Sequence, residues 1–393
     1  MTINTIKQLA VETASLVKEI REYLHQHPEL SFNEVETANY ICQWLDKWNV
    51  SYKNNIGGNG IVAWINGKEK GKNIAFRADI DALPIEEKNN VSYSSVNKCV
   101  MHACGHDLHT AALLGAIYLL QSLKNEFNGT FWAIFQPAEE KLPGGAQAML
   151  NDPFFNDLNF DAVLAQHVFP DLPAKEVGIK AGKYMASTDE LYITLKGRGG
   201  HAATPHQVTD TVLIASQIIV LLQQIVSRKA LPTIPTVLSF GKFIANGATN
   251  IIPNEVYIEG TFRTFDENWR NEALKLIEKI TKETAQTFGA EAEVVIKNGY
   301  PALINNDSLA QKISSIAKTY LGDEKVKWLE LRMTAEDFAY FAKQYPAVMF
   351  RLGTGGTPDT IYPLHSPQFN INEDVYTFSH GLITWMVLQL LND

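Results

Sequence analysis

The sequence predicts a two-domain α/β protein: a larger α/β domain on a central sheet, with a smaller α+β domain inserted into it. Three observations lead there. At 393 residues the chain is long for one hydrophobic core. Short apolar runs, among them Ile74–Phe76, Phe131–Phe135 and Ala162–Ala165, each lead into charged or polar residues, as buried strands of an open α/β sheet do. From about Lys183 the texture changes to alternating strands and long helices in the order β-α-β-β-α, a compact α+β unit of ferredoxin-like type. The expected boundaries are 1–182 and 293–393 for the two parts of the larger domain and 183–292 for the insert.

Composition narrows the function classes. The apolar fraction of 46% and charged fraction of 20% are those of an ordinary globular protein. A net charge of −9, with no concentrated Lys/Arg stripe, argues against a nucleic-acid partner. Three cysteines make no disulfide framework and fit a reducing cytoplasm. No signal-peptide pattern is visible, and residues 1–24 read as one amphipathic helix with Ile6, Leu9, Leu16, Val17 and Ile20 on its apolar side. The most apolar run, Val212 to Val226, is interrupted by Ser216, Gln217, Gln223 and Gln224. It is shorter than the roughly 20 residues a bilayer requires, so a buried helix and no membrane partner are expected.

In chain order, His27-Pro28 ends the first helix, with His25 and His27 expected to cap or line the loop. A second helix covers about Glu34 to Trp48, and Gly57 to Gly60 turns the chain into a strand, Ile61 to Ile65. The next strand, Asn73 to Ile80, leads into Asp79-Ile80-Asp81-Ala82-Leu83-Pro84; its carboxylates suit either turn chemistry or the orientation of a neighbouring histidine. Met101 to Thr110 (MHACGHDLHT) then gathers three of the ten histidines and one cysteine ahead of an Ala- and Leu-rich helix. A thiolate, an imidazole and a carboxylate so placed are the makings of a metal site. Unrelated loop residues, a helix capped by Asp107, and a thiol nucleophile activated by histidine are the competing readings.

Strand Phe131 to Phe135 leads into Gln136-Pro137-Ala138-Glu139-Glu140. Adjacent carboxylates repel, so folding explains them poorly; one can bind a metal while the other takes a proton from water. Strand Ala162 to Ala165 ends in Gln166-His167, a third polar strand end, which favours His167 as a ligand. In the insert, Gly199-Gly200-His201 reads as a turn, Asn250 lies in a loop and Arg263 at a strand end. Strand Ala292 to Ile296 is taken as the return to the larger domain, followed by helix Asp307 to Tyr320, strand Val348 to Leu352, Leu364-His365 and a last helix. Gly353 to Gly356 lacks the Lys-Ser and the helix of a phosphate loop.

Taken together, these segments resemble the aminoacylase/carboxypeptidase metallohydrolases of metallopeptidase family twenty, in the amidohydrolase branch of hippurate hydrolases, N-acyl-amino-acid amidohydrolases and auxin-conjugate hydrolases. The resemblance spans nearly the whole chain. It runs through His25–Leu30, Arg77–Pro84, Met101–Asp107, Gln136–Glu140, Gly199–Ala203, Asn250–Pro253 and Leu364-His365. It implies two divalent metal ions (Zn, Mn, Co or Ni) held by Cys104, His106, Glu140, His167 and His365. Glu139 would be the general base and Asp81 an acid that orients the site. It further implies that the insert is a lid and dimerisation domain of a homodimer, with His201 and Asn250 acting on substrate and Arg263 a weaker candidate. The implied reaction is hydrolysis of N-acyl amino acids, with N-acetyl-diaminopimelate or dipeptides as alternatives within the family. A thiol hydrolase built on Cys104, or a non-catalytic metal-binding protein, are rivals of another class. Lys141-Leu142-Pro143 departs from the family pattern beside the site, where it bears on substrate choice.

Overall fold

The computed structural model describes residues 2–393, which form two compact units. The first takes in the chain up to Tyr184 with Ile304–Leu331 and Asp337–Asp393; the second comprises Met185–Leu303 and Arg332–Glu336.

An eight-stranded mixed sheet organises the first unit. Its middle is parallel, in the order Thr130–Gln136, Asn73–Asp79, Ala162–Pro173, Ala347–Gly355. These strands are apolar nearly end to end because helices cover the sheet, as parallel sheets require. Beyond Thr130–Gln136 lie the antiparallel strands Gly60–Asn66 and Ser51–Ile56; Val177–Ile179 and Val326–Trp328 complete the other edge. From Asn73–Asp79 the chain goes first to the neighbour on one side and then to the neighbour on the other. That strand is therefore the topological switch point, and in open α/β sheets ligands bind at the carboxyl ends of the strands beside it. Helix His106–Ser122 is buried on almost every side and packs against helix Ser379–Leu391 and helix Ala14–Gln26.

The second unit is a four-stranded antiparallel sheet in the order Thr236–Ile244, Glu255–Thr264, Asp189–Lys196, Glu291–Asn298. Helices Thr211–Gln224 and Glu267–Thr287 pack with it around a separate core. Helix Glu267–Thr287 starts where the Asp266 side chain accepts the Trp269 amide, and it buries Trp269, Ala273, Leu274, Ile277 and Ala285. Arg270 pins it to strand Asp189–Lys196 through both oxygens of Asp189, at 2.8 and 2.7 Å. The β-α-β-β-α-β order and this strand arrangement are the split β-α-β plan expected of the insert.

Four expectations are corrected. The insert does not close at 292: Glu291–Asn298 pairs with Asp189–Lys196, and the unit runs on to Leu303. An alternating, half-exposed strand is what an edge needs, and periodicity does not name its neighbour. In place of the one helix expected over 1–24, two are found, Ile3–Glu12 and Ala14–Gln26, with Thr13 between them bonded to the Leu9 carbonyl and to His380. The strand that begins at Ala162 continues to Pro173, so His167 lies within it. Lastly, helix Thr211–Gln224 runs on through a π-turn, so that Thr211–Lys229 is 19 residues long and apolar enough to cross a membrane by length and composition. Ile214, Ala215, Ile218 and Leu222 face the core of the unit, whereas Leu213 and Val220 are 56% and 70% exposed.

Candidate metal centre

The first unit carries its polar cluster at the carboxyl ends of the parallel strands. Asp79 ends one strand and Asp81 follows it; Gln136 ends the next, and Glu139 and Glu140 follow. Cys104 and His106 stand at the start of helix His106–Ser122, and His167 projects from the longest strand. His365 sits in a loop tied back by its amide to the Ala103 carbonyl at 2.9 Å.

Folding unites these residues. Three groups of possible ligand atoms, each with members within 4.8 Å of one another, are Cys104/His106/His167, Cys104/Glu140/His365 and His106/Glu139/Glu140. Cys104, His106 and Glu140 each belong to two groups, so the six residues make one continuous cluster. His106 Nδ1 lies 2.9 Å from the Asp81 carbonyl and 3.1 Å from Asp81 Oδ1, which turns Nε2 into the cluster. Asp81 Oδ2 accepts from Ser31 Oγ at 2.6 Å and from the Glu140 amide at 3.0 Å. One carboxylate thus aims the histidine and anchors the backbone of the glutamate. His106 Nε2 and Glu140 Oε1 are buried 3.9 Å apart without a hydrogen bond. A cation between such atoms satisfies both.

The electrostatics agree. Burial opposes a charged imidazole at His106, yet Asp79, Asp81 and Glu140 outweigh it and push its pKa up to about 10. Burial, reinforced by Glu140, Glu139 and Asp79, lifts the Cys104 thiol well above its ordinary value. Burial, with Arg351 and His109, keeps His167 well below its ordinary value, hence neutral. The carboxylates around His106 and Cys104 thus favour positive charge at that end of the cluster. A thiol held protonated there makes a poor nucleophile, which weighs against a thiol hydrolase.

The backbone around the cluster is strained. Ala138, just before Glu139, and His365 have φ of 52° and 64°, rare for residues with a side chain. Buried Glu34 holds Ala138 in place by accepting its amide at 2.8 Å. Gly105, between Cys104 and His106, has φ of 80°, and a Cβ there would meet Val168 Cγ2 at 2.5 Å. Gly105→Ala is expected to cost about 1–3 kcal/mol in backbone strain alone and to push Cys104 and His106 apart. Thermal melting and metal titration of the variant check this; unchanged values in both would sink it.

His201 and Asn250 belong to the second unit, where they share one loop cluster: His201 pairs with Ile251, and the Ala202 amide donates to the Asn250 carbonyl at 3.0 Å. Arg263, in the same unit, donates from Nη1 to the Met333 carbonyl at 3.2 Å. His206 lies exposed in a short turn.

Residues 75–382 match Peptidase family M20/M25/M40. The chain belongs to this family. It is 40% identical over 307 residues to the N-acyl-L-amino acid amidohydrolase of Geobacillus stearothermophilus, covering 78% of this chain and 82% of that one. It is 36% identical over 385 residues to the N-acetyldiaminopimelate deacetylase of Enterococcus faecalis, covering 97% and 99%. The crystal structure of a dinuclear metal binding peptidase of the M20 family from Bacillus subtilis superimposes with a TM-score of 0.81 at 32% identity, over 97% of this chain and 99% of that one.

In this M20 chain the structure also shows what residue patterns concealed. His25 is not a loop residue: it is buried, with Nδ1 2.7 Å from Asp107 and Nε2 3.0 Å from Glu87. Asp107 caps no helix, because Gly105 takes that position and Asp107 pairs instead with Arg21 at 2.8 Å. His102 is wholly buried, and neither ring nitrogen has a hydrogen-bond partner among the described residues. His109 faces Asp79, with Nδ1 and Oδ1 2.6 Å apart. Its signal was available, since His106 and His109 are three apart on one helical face; for His102 no such signal exists.

Proposed function

We propose that this chain is a metal-dependent amidohydrolase that cleaves N-acyl amino acids, acetyl or aroyl, to a carboxylate and a free amino acid. The observation that carries the reading is the buried, unsatisfied pair of His106 Nε2 and Glu140 Oε1, with a second carboxylate, Glu139, beside them.

The ligand atoms fit two divalent ions. One thiolate with imidazoles and carboxylates suits Zn, Mn, Co or Ni, and Cys104, His106, Glu140, His167 and His365 would hold them. A closed structural zinc site instead takes four N/S ligands. When bound, the ions supply Lewis acidity and bring the pKa of water from about 15.7 towards neutrality. Glu139 takes a proton from the attacking water and passes it to the amine nitrogen as the C–N bond breaks. Asp81 keeps His106 in its orientation by engaging Nδ1. His201 stabilises the oxyanion and Asn250 holds the substrate. Arg263 is half-buried, and among the described residues no carboxylate neutralises it. Such a guanidinium suits the substrate's free carboxylate.

The Geobacillus relative's name supports the N-acyl amino acid reading, and the Enterococcus relative's name keeps N-acetyl-diaminopimelate as a second substrate; a dipeptide is a third. The exposed apolar residues Leu213 and Val220 support a homodimer through the second unit. Sparse and unpaired cysteines are in keeping with the cytoplasm.

The test is hydrolysis of N-acetyl, N-benzoyl and N-acetyl-diaminopimelate compounds by protein stripped of metal and then reloaded with Zn, Mn, Co or Ni. Activity is expected only after reloading, and the best substrate names the subclass. Cleavage that survives stripping would end the two-metal reading.

A further inference from the structure

We infer that His109 is a positioning residue: its imidazole replaces a missing strand beside Val168 and thereby sets the ring of His167. The inference rests on the proposed role of His167 as a metal ligand.

The sheet provides the reason. Strand Asn73–Asp79 pairs with strand Ala162–Pro173 only from Ile74 opposite Ala162 to Arg77 opposite Ala165. On the other side, strand Ala347–Gly355 keeps pairing past His167 and Val168 to Phe169. Beyond Ala165 one edge of the strand has therefore lost its neighbour, and a buried amide left there needs another acceptor. The Val168 amide finds it in His109 Nε2, at 2.9 Å. Because Nε2 accepts, the proton of the neutral ring lies on Nδ1, which donates to Asp79 Oδ1 at 2.6 Å. Asp79 is held in turn by Arg77 Nη1 at 2.6 Å, while Arg77 reaches Asp337 with Nη2 and Gln136 with Nε.

The same Val168 is gripped from the other end. Its carbonyl accepts from His167 Nδ1 at 2.9 Å, which fixes the ring and leaves Nε2, with its lone pair, 3.4 Å from Cys104 Sγ. The path thus runs Arg77, Asp79, His109, Val168, His167, through side chains that are all buried. Asp79, His106 and His109 also bring possible ligand atoms within 4.8 Å of one another, but both His109 nitrogens are engaged, Nδ1 with Asp79 and Nε2 with the Val168 amide, which leaves His109 no lone pair for a metal. His109 acts on the metal through the backbone that the ligand's ring is hung from, in the way an outer hydrogen-bond partner tunes a ligand.

The experiment is a Co(II) titration of metal-stripped protein, with affinity read by chelator competition and the thiolate-to-cobalt absorption band recorded. It compares the natural protein with His109→Met, His109→Gln and His167→Ala. His109→Met keeps the volume and removes the acceptor; it is expected to weaken one ion by about 10- to 100-fold and to shift the band. His109→Gln, whose amide can accept from Val168 and donate to Asp79, is expected to recover most of both. A role in packing alone would lower the melting temperature of the metal-free protein and leave the band where it is. Unchanged affinity and band in His109→Met, with an ion lost in His167→Ala, would overturn the inference and spare the ligand reading. Full binding by His167→Ala would overturn both. Should His109→Met not fold, His109→Asn, which reaches Asp79 but not Val168, is read in the same way.

Discussion

Glu139→Gln is expected to lower kcat by about 100- to 10,000-fold with metal content unchanged. Glu139 is 7% exposed and stands in the same group of ligand atoms as His106 and Glu140. The amide has the shape of the carboxylate, so the cluster keeps its packing, but it cannot take a proton from water. Glu140→Gln is the matched control. Its Oε1 lies buried near His106 and 3.3 Å from His365 Nε2, so that variant should lose metal as well as activity. Steady-state kinetics with metal analysis separates the two carboxylates. If Glu139→Gln retains activity within tenfold, the base lies elsewhere. If both variants lose metal equally, the division of labour between neighbours is wrong.

Arg21→Met is expected to destabilise the first unit by about 3–5 kcal/mol at pH 7. Arg21 and Asp107 are both completely buried, and Arg21 Nε lies 2.8 Å from Asp107 Oδ2. Methionine fills similar space but, among the described residues, leaves the Asp107 carboxylate with only His25 as a side-chain partner. Burial by itself raises the Asp107 pKa, yet Arg21 and then His25 overcome it and hold the carboxyl far below the usual range. A depressed carboxyl contributes stability that is fully present above its unfolded pKa of about 3.9 and is lost as pH falls towards the folded value. In Arg21→Met burial dominates and the folded pKa rises. The variant's penalty should therefore shrink between pH 7 and about pH 4. Urea unfolding at both pH values measures it. A penalty below about 1 kcal/mol, or one that grows on acidification, would contradict the account.

Local chemistry made much of this site legible. Short apolar runs that break off into Asp79-Ile80-Asp81 or Glu139-Glu140 are strand ends wherever they occur, because a buried strand cannot end on carboxylates unless the sheet ends there too. The start of helix His106–Ser122, with cysteine and histidine around a glycine, was equally visible. His102, Arg77 and Asp337 were not. Nothing near them in the chain says that they will be buried beneath the site, and Asp337 joins Arg77 from far along the sequence. The strand Glu291–Asn298 was legible as a strand and not as part of the second unit, because alternation states that one face is covered and not by what.

By itself, then, the sequence determined which side chains could offer ligand atoms, the place of most of them near element ends, and the two textures of the chain. Each depends on neighbours within a few residues. Tertiary structure decided which strands pair and where pairing stops. That brings Cys104, Glu140 and His365 within 4.8 Å of one another and leaves the Val168 amide to a histidine instead of a strand. The physical reason is that a strand's hydrogen bonds are made to another part of the chain. Their register, and the gaps in it, exist only once the sheet has formed.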